Sequence, residues 1–144
     1  MKMRPKLFTL EEANALIPEL ERRLSGLLEK KENYTRCHDE LLMHELISHA
    51  DNQGGLFPIS IGLEEEVRLL ETAIVKLEED IRSIQALGCV IRNVEQGWID
   101  FLGEWKNEQI YFCWKKGETS IQHYHSLKGD MTERRPLSGE PCQS

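Results

Sequence analysis

The sequence predicts an α+β protein in which a long antiparallel helical hairpin packs on a small four-stranded antiparallel sheet. Over the first half of the chain apolar residues recur by threes and fours, as in amphipathic helices, and over the second half they alternate in short runs, as in strands. Turn residues separate these segments. We interpret the 144 residues as one domain, with the hairpin at 9–88, a β module at 89–127 and an irregular C-terminal tail at 128–144.

The first helix of the hairpin is predicted to begin at Leu10. Thr9 and Glu12 have the spacing of a capping box, in which each side chain accepts a hydrogen bond from the other residue's backbone N–H. Pro18 predicts a kink near Ile17, because proline has no backbone N–H to donate inside a helix. Beyond it, the apolar positions form a coiled-coil-like seam: Leu20, Leu24, Leu27, Tyr34 and Leu41.

The second helix has clearer heptad spacing, and Gly88 is well placed to end it in a left-handed conformation. Its apolar positions are Leu63, Val67, Leu70, Ile74, Leu77, Ile81 and Ile84. Residues 51–55 break the first helix, and 56–61 form a connecting loop. Because the first helix is the longer one, the segment from Thr9 to about Arg23 extends past the second helix, and we expect its apolar face to cover the β module.

The β module is predicted from alternating runs that contain most of the aromatic residues. The four runs are 89–94, 98–102, 109–114 and 120–125. Cys113, between Phe112 and Trp114, is interpreted as a small core residue. Several glycines and prolines follow residue 128, so we expect the tail to be irregular.

Charge and cysteine usage exclude some classes of function. The formal net charge of −7 disfavours binding to duplex nucleic acid, which requires basic residues to neutralise phosphates, and it disfavours a membrane surface for the same reason. The chain has no apolar run of spanning length, and we expect no secretion signal because no apolar run follows the basic residues at 1–5. Its four cysteines include no CxxC pair, so we expect reduced thiols and a cytoplasmic location.

Four separated motifs resemble the bacterial domain-of-unknown-function family 2203, over the range Phe8 to Leu137. They are FTLEEANALIPEL at 8–20, GWIDF at 97–101, IYFCWKKGE at 110–118 and YHSLKGDMTERRPL at 124–137. The resemblance implies a small prokaryotic protein and brings no activity; some members are labelled as cell-division coiled-coil proteins. It also implies polar or aromatic pattern positions at Asp100, Trp114, Glu118, His125, Arg134 and Arg135, whereas the family has a different aromatic residue where His123 stands.

Two histidines in the fourth predicted strand are candidate metal ligands. His123 and His125 are two residues apart, so their side chains project from the same face of a strand. They could hold a divalent ion such as zinc if a carboxylate, Asp100 or Glu118, came from a neighbouring strand. The alternative is that both are ordinary half-exposed residues.

A second candidate site lies in the tail and the aromatic strands. Arg134 and Arg135 could bind a carboxylate or phosphate through their forked donors, and Trp114 is a candidate aromatic contact for a ligand. The alternative for the arginines is a salt bridge that fastens the tail to the sheet, and the alternative for the tryptophan is core packing.

Two functional hypotheses follow. The first is a non-enzymatic interaction protein that forms a homodimer through a four-helix arrangement of two hairpins and offers its β module to a protein partner. The second is a protein that binds a metal ion or small anion on the β module, with metal-dependent hydrolysis as its enzymatic form. The residues leave open whether the protein is an enzyme.

Overall fold

The computed structural model describes residues 6–51, 63–129 and 131–137, and their fold is α+β, as predicted. The predicted connecting loop at 56–61 and the end of the tail lie outside these residues. The helices are α1 (Leu10–Ala15), α2 (Ile17–Asp51), α3 (Glu64–Gln85) and a 3₁₀ turn (Met131–Glu133). The strands are β1 (Val90–Asn93), β2 (Trp98–Trp105), β3 (Glu108–Lys115), β4 (His123–Ser126) and β5 (Arg135–Pro136).

The predicted capping box at the start of the first helix is present. The hydroxyl of Thr9 accepts from the backbone N–H of Glu12 at 3.0 Å, and the backbone N–H of Thr9 donates to the Glu12 carboxylate at 3.0 Å. These two bonds satisfy donors that the first turn of a helix would otherwise leave free.

A kink near Ile17 within one helix is predicted, whereas the structure has two helices, α1 and α2, separated at Leu16. The N–H of Leu16 bonds to the carbonyl of Ala13 at 3.1 Å, a tighter spacing than that of an α-helix. Pro18 then lies in the first turn of α2. Proline is tolerated there because the N–H groups of a first turn have no intrahelical acceptor.

The chain divides into two compact units, one of which is Gly26–Asp80. Within it, α2 and α3 run antiparallel. Lys30 pairs with Asp80 at 2.9 Å, and His44 pairs with Glu66 at 3.0 Å. The later residue of α2 therefore pairs with the earlier residue of α3. In the described residues no helix is long and apolar enough to cross a bilayer.

The second unit consists of residues 1–25 and 81–144 and contains the sheet, whose strand order is β1-β2-β3-β4-β5 with all neighbours antiparallel. Four strands are predicted, and the described residues form five. The additional strand, β5, pairs Arg135 with Tyr124 and Pro136 with His123. Two residues are too few to show alternation, and proline is compatible with an edge strand, which does not need every N–H for pairing.

One face of the sheet is apolar and packs on the N-terminal segment. Ile99, Phe101, Ile110, Phe112 and Trp114 are buried there. The ring of Phe8 packs edge-on against the ring of Phe101 with centroids 5.1 Å apart, and the N–H of Phe8 donates to the carbonyl of Leu102 at 2.7 Å. Two buried residues of the first helices, Ala13 and Leu20, contribute to the same unit.

Candidate metal centre

The opposite face of the sheet is polar at its centre. Asp100 on β2 lies opposite Cys113 on β3, which in turn lies opposite His123 on β4. His125, two residues further along β4, lies opposite Tyr111. Because side chains alternate between faces along a strand, this register places all five side chains on the face away from Phe101.

Asp100 and His125 form a buried pair in this face. The Oδ2 atom of Asp100 lies 2.7 Å from Nε2 of His125 and accepts a hydrogen bond from Nε of Arg92 at 2.8 Å. Asp100 is 0% exposed and His125 is 2% exposed. The two donors compensate the buried carboxylate, which would otherwise be costly to remove from water.

The imidazole of His125 is held at both ring nitrogens. Nδ1 lies 2.9 Å from the backbone carbonyl of Ser126, while Nε2 faces the carboxylate of Asp100. Nδ1 is therefore an N–H that donates to Ser126, because a carbonyl oxygen only accepts. One further proton lies in the bond between Nε2 and Asp100. The ring is thus oriented with Nε2 toward the centre of the cluster.

Cys113 is the third member of this cluster. Its sulfur, a carboxylate oxygen of Asp100 and a ring nitrogen of His125 all lie within 4.8 Å of one another. Burial raises the pKa of the Cys113 thiol to about 12, the nearby charge of Asp100 adds to this effect, and Arg134 opposes it. The thiol is therefore protonated at neutral pH and is a poor nucleophile, which argues against cysteine catalysis.

Three buried polar atoms around the cluster have no hydrogen-bond partner among the described residues. They are Oδ1 of Asp100, Nδ1 of His123 and Nη1 of Arg134. Burial, and next the positive charge of Arg134, lower the pKa of His123, so its imidazole is neutral at pH 7. Buried polar atoms are nearly always bonded, so their concentration at one place points to a bound ion, ligand or water.

Glu118 and Arg134 lie beside the cluster as a pair. Nη2 of Arg134 donates to the Glu118 carboxylate at 3.1 Å, and the guanidinium lies over the ring of Trp98, with Cζ 4.7 Å from the centroid. Glu118 is therefore occupied by a cation in this structure. The contact also fastens the segment after β4 to the sheet.

Two other predicted site residues lie on the apolar side. Trp114 is 0% exposed, and its indole N–H donates to the backbone carbonyl of Glu118 at 2.9 Å, which matches the core-packing alternative. Arg135 is exposed and lies opposite Tyr124, which lies opposite Phe112. The register therefore separates Arg135 from Arg134 and directs the two to different faces.

Sequence reasoning missed Cys113 and Arg92 as members of the site. Cys113 was interpreted as a core residue because both of its neighbours in sequence are large and aromatic. The sequence did contain a signal. In each predicted strand the side chains alternate between two faces, and Asp100, Cys113 and His125 each fall on the face opposite to that of a neighbouring aromatic residue. Three ligand-type residues on one face of adjacent strands indicate a cluster, once the register is known.

Comparisons with known proteins identify a family and no activity. A family model described as "Uncharacterized conserved protein (DUF2203)" matches residues 6–137. No curated protein and no solved structure matches the chain.

Proposed function

The chain belongs to the DUF2203 family of uncharacterized conserved proteins, and because this membership names no activity, we propose from the chain's own residues that it binds a divalent metal ion through Asp100, Cys113 and His125. The supporting observation is the group of three buried ligand-type side chains with donor atoms within 4.8 Å of one another. Thiolate, imidazole and carboxylate together suit zinc, whereas magnesium and calcium prefer oxygen ligands alone.

The spacing of the donor atoms is close to that of a zinc site. Two nitrogen or oxygen ligands of a tetrahedral zinc ion lie about 3.3 Å apart, given bonds of about 2.0 Å. Nε2 of His125 and Oδ2 of Asp100 are 2.7 Å apart around a shared proton. An ion would replace that proton after a small separation of the two groups, or the carboxylate would offer its unpartnered atom, Oδ1.

The surrounding hydrogen bonds suit ligands that must be held in position. Metal-bound histidines commonly donate their other ring N–H to a carbonyl or carboxylate, and Nδ1 of His125 is directed at the carbonyl of Ser126 in this way. Arg92 fixes the Asp100 carboxylate through Oδ2. Both contacts exist without the ion, so little reorganisation is required when it binds.

Charge balance also supports a divalent ion, although two arginines lie close by. Binding displaces the thiol proton of Cys113 and the proton shared by His125 and Asp100. A charge of +2 enters while two protons leave, so the net charge of the cluster does not change. Arg92 and Arg134 therefore meet no additional repulsion.

The chemistry available to such a site includes hydrolysis. Three protein ligands leave a fourth position, which in catalytic zinc sites holds a water that is activated as the nucleophile. His123, which lies opposite Cys113 and whose Nδ1 has no partner among the described residues, is a candidate for a fourth ligand or a base. Because Asp100, Cys113 and His125 are at most 2% exposed, we propose ion binding as the main function and hydrolysis as the secondary one.

We also propose that the protein is cytoplasmic, because thiols stay reduced there.

A zinc titration tests this proposal. Untagged protein, stripped with a chelator, should bind one Zn²⁺ per chain by calorimetry, and Cys113→Ser should weaken binding by at least tenfold. Cys37→Ser, a matched change at the half-buried cysteine of α2, should have no effect. Circular dichroism checks that each variant folds. Absence of binding by the wild-type protein, or equal binding by the two variants, would refute the site.

A second candidate function, a homodimeric interaction module, rests on a different observation. Seven of the nine large apolar residues that are exposed in the described chain lie within Gly26–Asp80: Leu42, Met43, Leu46, Ile47, Leu69, Ile74 and Val75. On α2 they recur by threes and fours, as in helices that pack on other helices. A second copy would supply an identical face in a two-fold arrangement, and a protein partner is the other occupant that the test can reveal.

Light scattering at micromolar concentration tests this second candidate. The wild-type chain should have the mass of a dimer, and Ile47→Glu should have that of a monomer. Leu127→Glu, a matched change at an exposed leucine outside this face, should remain dimeric. A monomeric wild-type protein would exclude the homodimer and leave a different protein as the occupant to be sought.

A further inference from the structure

Arg92 presents a fixed and partly exposed guanidinium above the cluster. Its Nε donates to Asp100 at 2.8 Å, and its Cζ lies 4.9 Å from the centroid of the Tyr111 ring. The side chain is 37% exposed. The hydrogen bond holds the edge of the guanidinium that carries Nε, and the Tyr111 ring lies against one of its faces. The plane of the guanidinium is therefore set from one edge and one face.

Two more cations flank the same part of the sheet. The guanidinium of Arg134 and the ammonium of Lys115 lie 4.7 Å and 5.3 Å from the ring centroid of Trp98. Trp98 lies opposite Lys115 and is two residues from Asp100, so its ring belongs to the polar face. Cation–π contacts of this kind hold a charge in place without neutralising it.

The carboxylates beside the cluster do not balance these cations. Asp100 is shared by Arg92 and His125, and Glu118 is paired with Arg134. The contact that the structure gives for the Lys115 ammonium is the Trp98 ring. Among these five side chains three cations face two carboxylates, although the whole chain carries a net charge of −7.

We propose that this face binds a small oxyanion, a carboxylate or a phosphate, with the Arg92 guanidinium as the principal donor and Lys115 and Arg134 as flanking charges. A guanidinium fork matches the two oxygens of such a group, and the hydrogen bond to Asp100 uses Nε of Arg92 rather than its terminal nitrogens. The site goes beyond the metal centre and does not depend on it, since every contact described here exists in the metal-free protein.

Nuclear magnetic resonance of the full chain tests this inference, with the Nε–H signal of Arg92 as the reporter. Chelator-stripped protein is titrated with inorganic phosphate and, separately, with acetate at constant ionic strength. We expect a saturable shift of the Arg92 signal with at least one of them, and the preferred anion identifies phosphate or carboxylate as the ligand class. The same titrations with zinc-loaded protein separate this site from the metal centre.

Matched arginine variants complete the experiment. Arg92→Lys keeps the charge and removes the fork, so affinity should fall at least tenfold, while Arg36→Lys, on an exposed part of α2, should leave it unchanged. Equal effects of the two variants, or shifts that do not saturate, would show unspecific charge attraction and overturn the proposal. Binding seen only with zinc-loaded protein would assign the anion to the ion and overturn the role of Arg92. The wild-type titration remains decisive if Arg92→Lys does not fold.

Discussion

Nε2 of His125 lies 2.7 Å from Oδ2 of Asp100 although their strands, β4 and β2, are separated by β3. The contact is diagonal, because His125 lies opposite Tyr111 while Asp100 lies opposite Cys113. It exists only while three strands keep their register. A slip of one residue in any of them would turn its side chain to the apolar face, so the cluster depends on the pairing of the whole sheet.

We predict that zinc binding releases two protons per ion near pH 7. One comes from the thiol of Cys113, whose pKa is raised to about 12, and one from the bond between His125 and Asp100. Calorimetry in buffers of different ionisation enthalpy measures the number. In Cys113→Ser it should fall to one, provided that residual binding is measurable. Binding without proton release would contradict this arrangement of the metal-free cluster.

The three described cysteines should differ in their reaction with iodoacetamide. Burial raises the pKa of Cys89 to about 11 and that of Cys113 to about 12, and both thiols are inaccessible, whereas Cys37 is only half-buried. Peptide mass spectrometry at pH 8 should therefore find Cys37 alkylated first among the three. In urea the three rates should converge. Early alkylation of Cys113 in the folded protein would show that the cluster is open to solvent.

Acidification should destabilise the protein partly through His123. Its pKa in the folded state is lowered, first by burial and then by Arg134, below the ordinary value of 6.5. The unfolded chain therefore takes up a proton first, and the stability associated with neutral His123 is lost as the pH falls from about 6.5 toward the lowered value.

Urea titrations between pH 7.5 and 5 measure this dependence. His123→Gln should make the loss of stability with acidification shallower, and His38→Gln, at an exposed position of α2, should leave the slope unchanged. Identical slopes in all three proteins would show that His123 does not contribute.

Two glycine-to-alanine changes should have opposite effects on stability. A Cβ at Gly103 would lie 2.4 Å from Cε2 of Phe112 and 2.5 Å from the carbonyl oxygen of Phe8, so the change should destabilise by about 1–3 kcal/mol. A Cβ at Gly26, inside α2, would meet no atom within 4 Å, and alanine should stabilise the helix by about 0.5–1 kcal/mol. Urea unfolding of both variants measures the difference. A neutral Gly103→Ala would show that β2 and the Phe8 segment are not closely packed.

Local patterns in the sequence were sufficient for several elements of the fold. The Thr9–Glu12 capping box is present as predicted, and Gly88 adopts a positive φ of 100° after α3, as a left-handed helix end requires. These features depend on residues within one turn of each other. The kinked single helix is not confirmed: the structure has two helices separated at Leu16, and Pro18 lies in the first turn of the second, where proline is tolerated.

The sequence by itself determined the fold class, the elements with strong periodicity, the family resemblance and the candidacy of Asp100, His123 and His125. Only the tertiary structure decided that Asp100 and His125 meet, that Cys113 and Arg92 join them, and that Trp114 and Arg135 lie on the other side. The physical reason is that strand register and face depend on how the whole sheet packs against Phe8 and the first helices. Periodicity describes each strand alone, whereas a site on a sheet is a relation between strands.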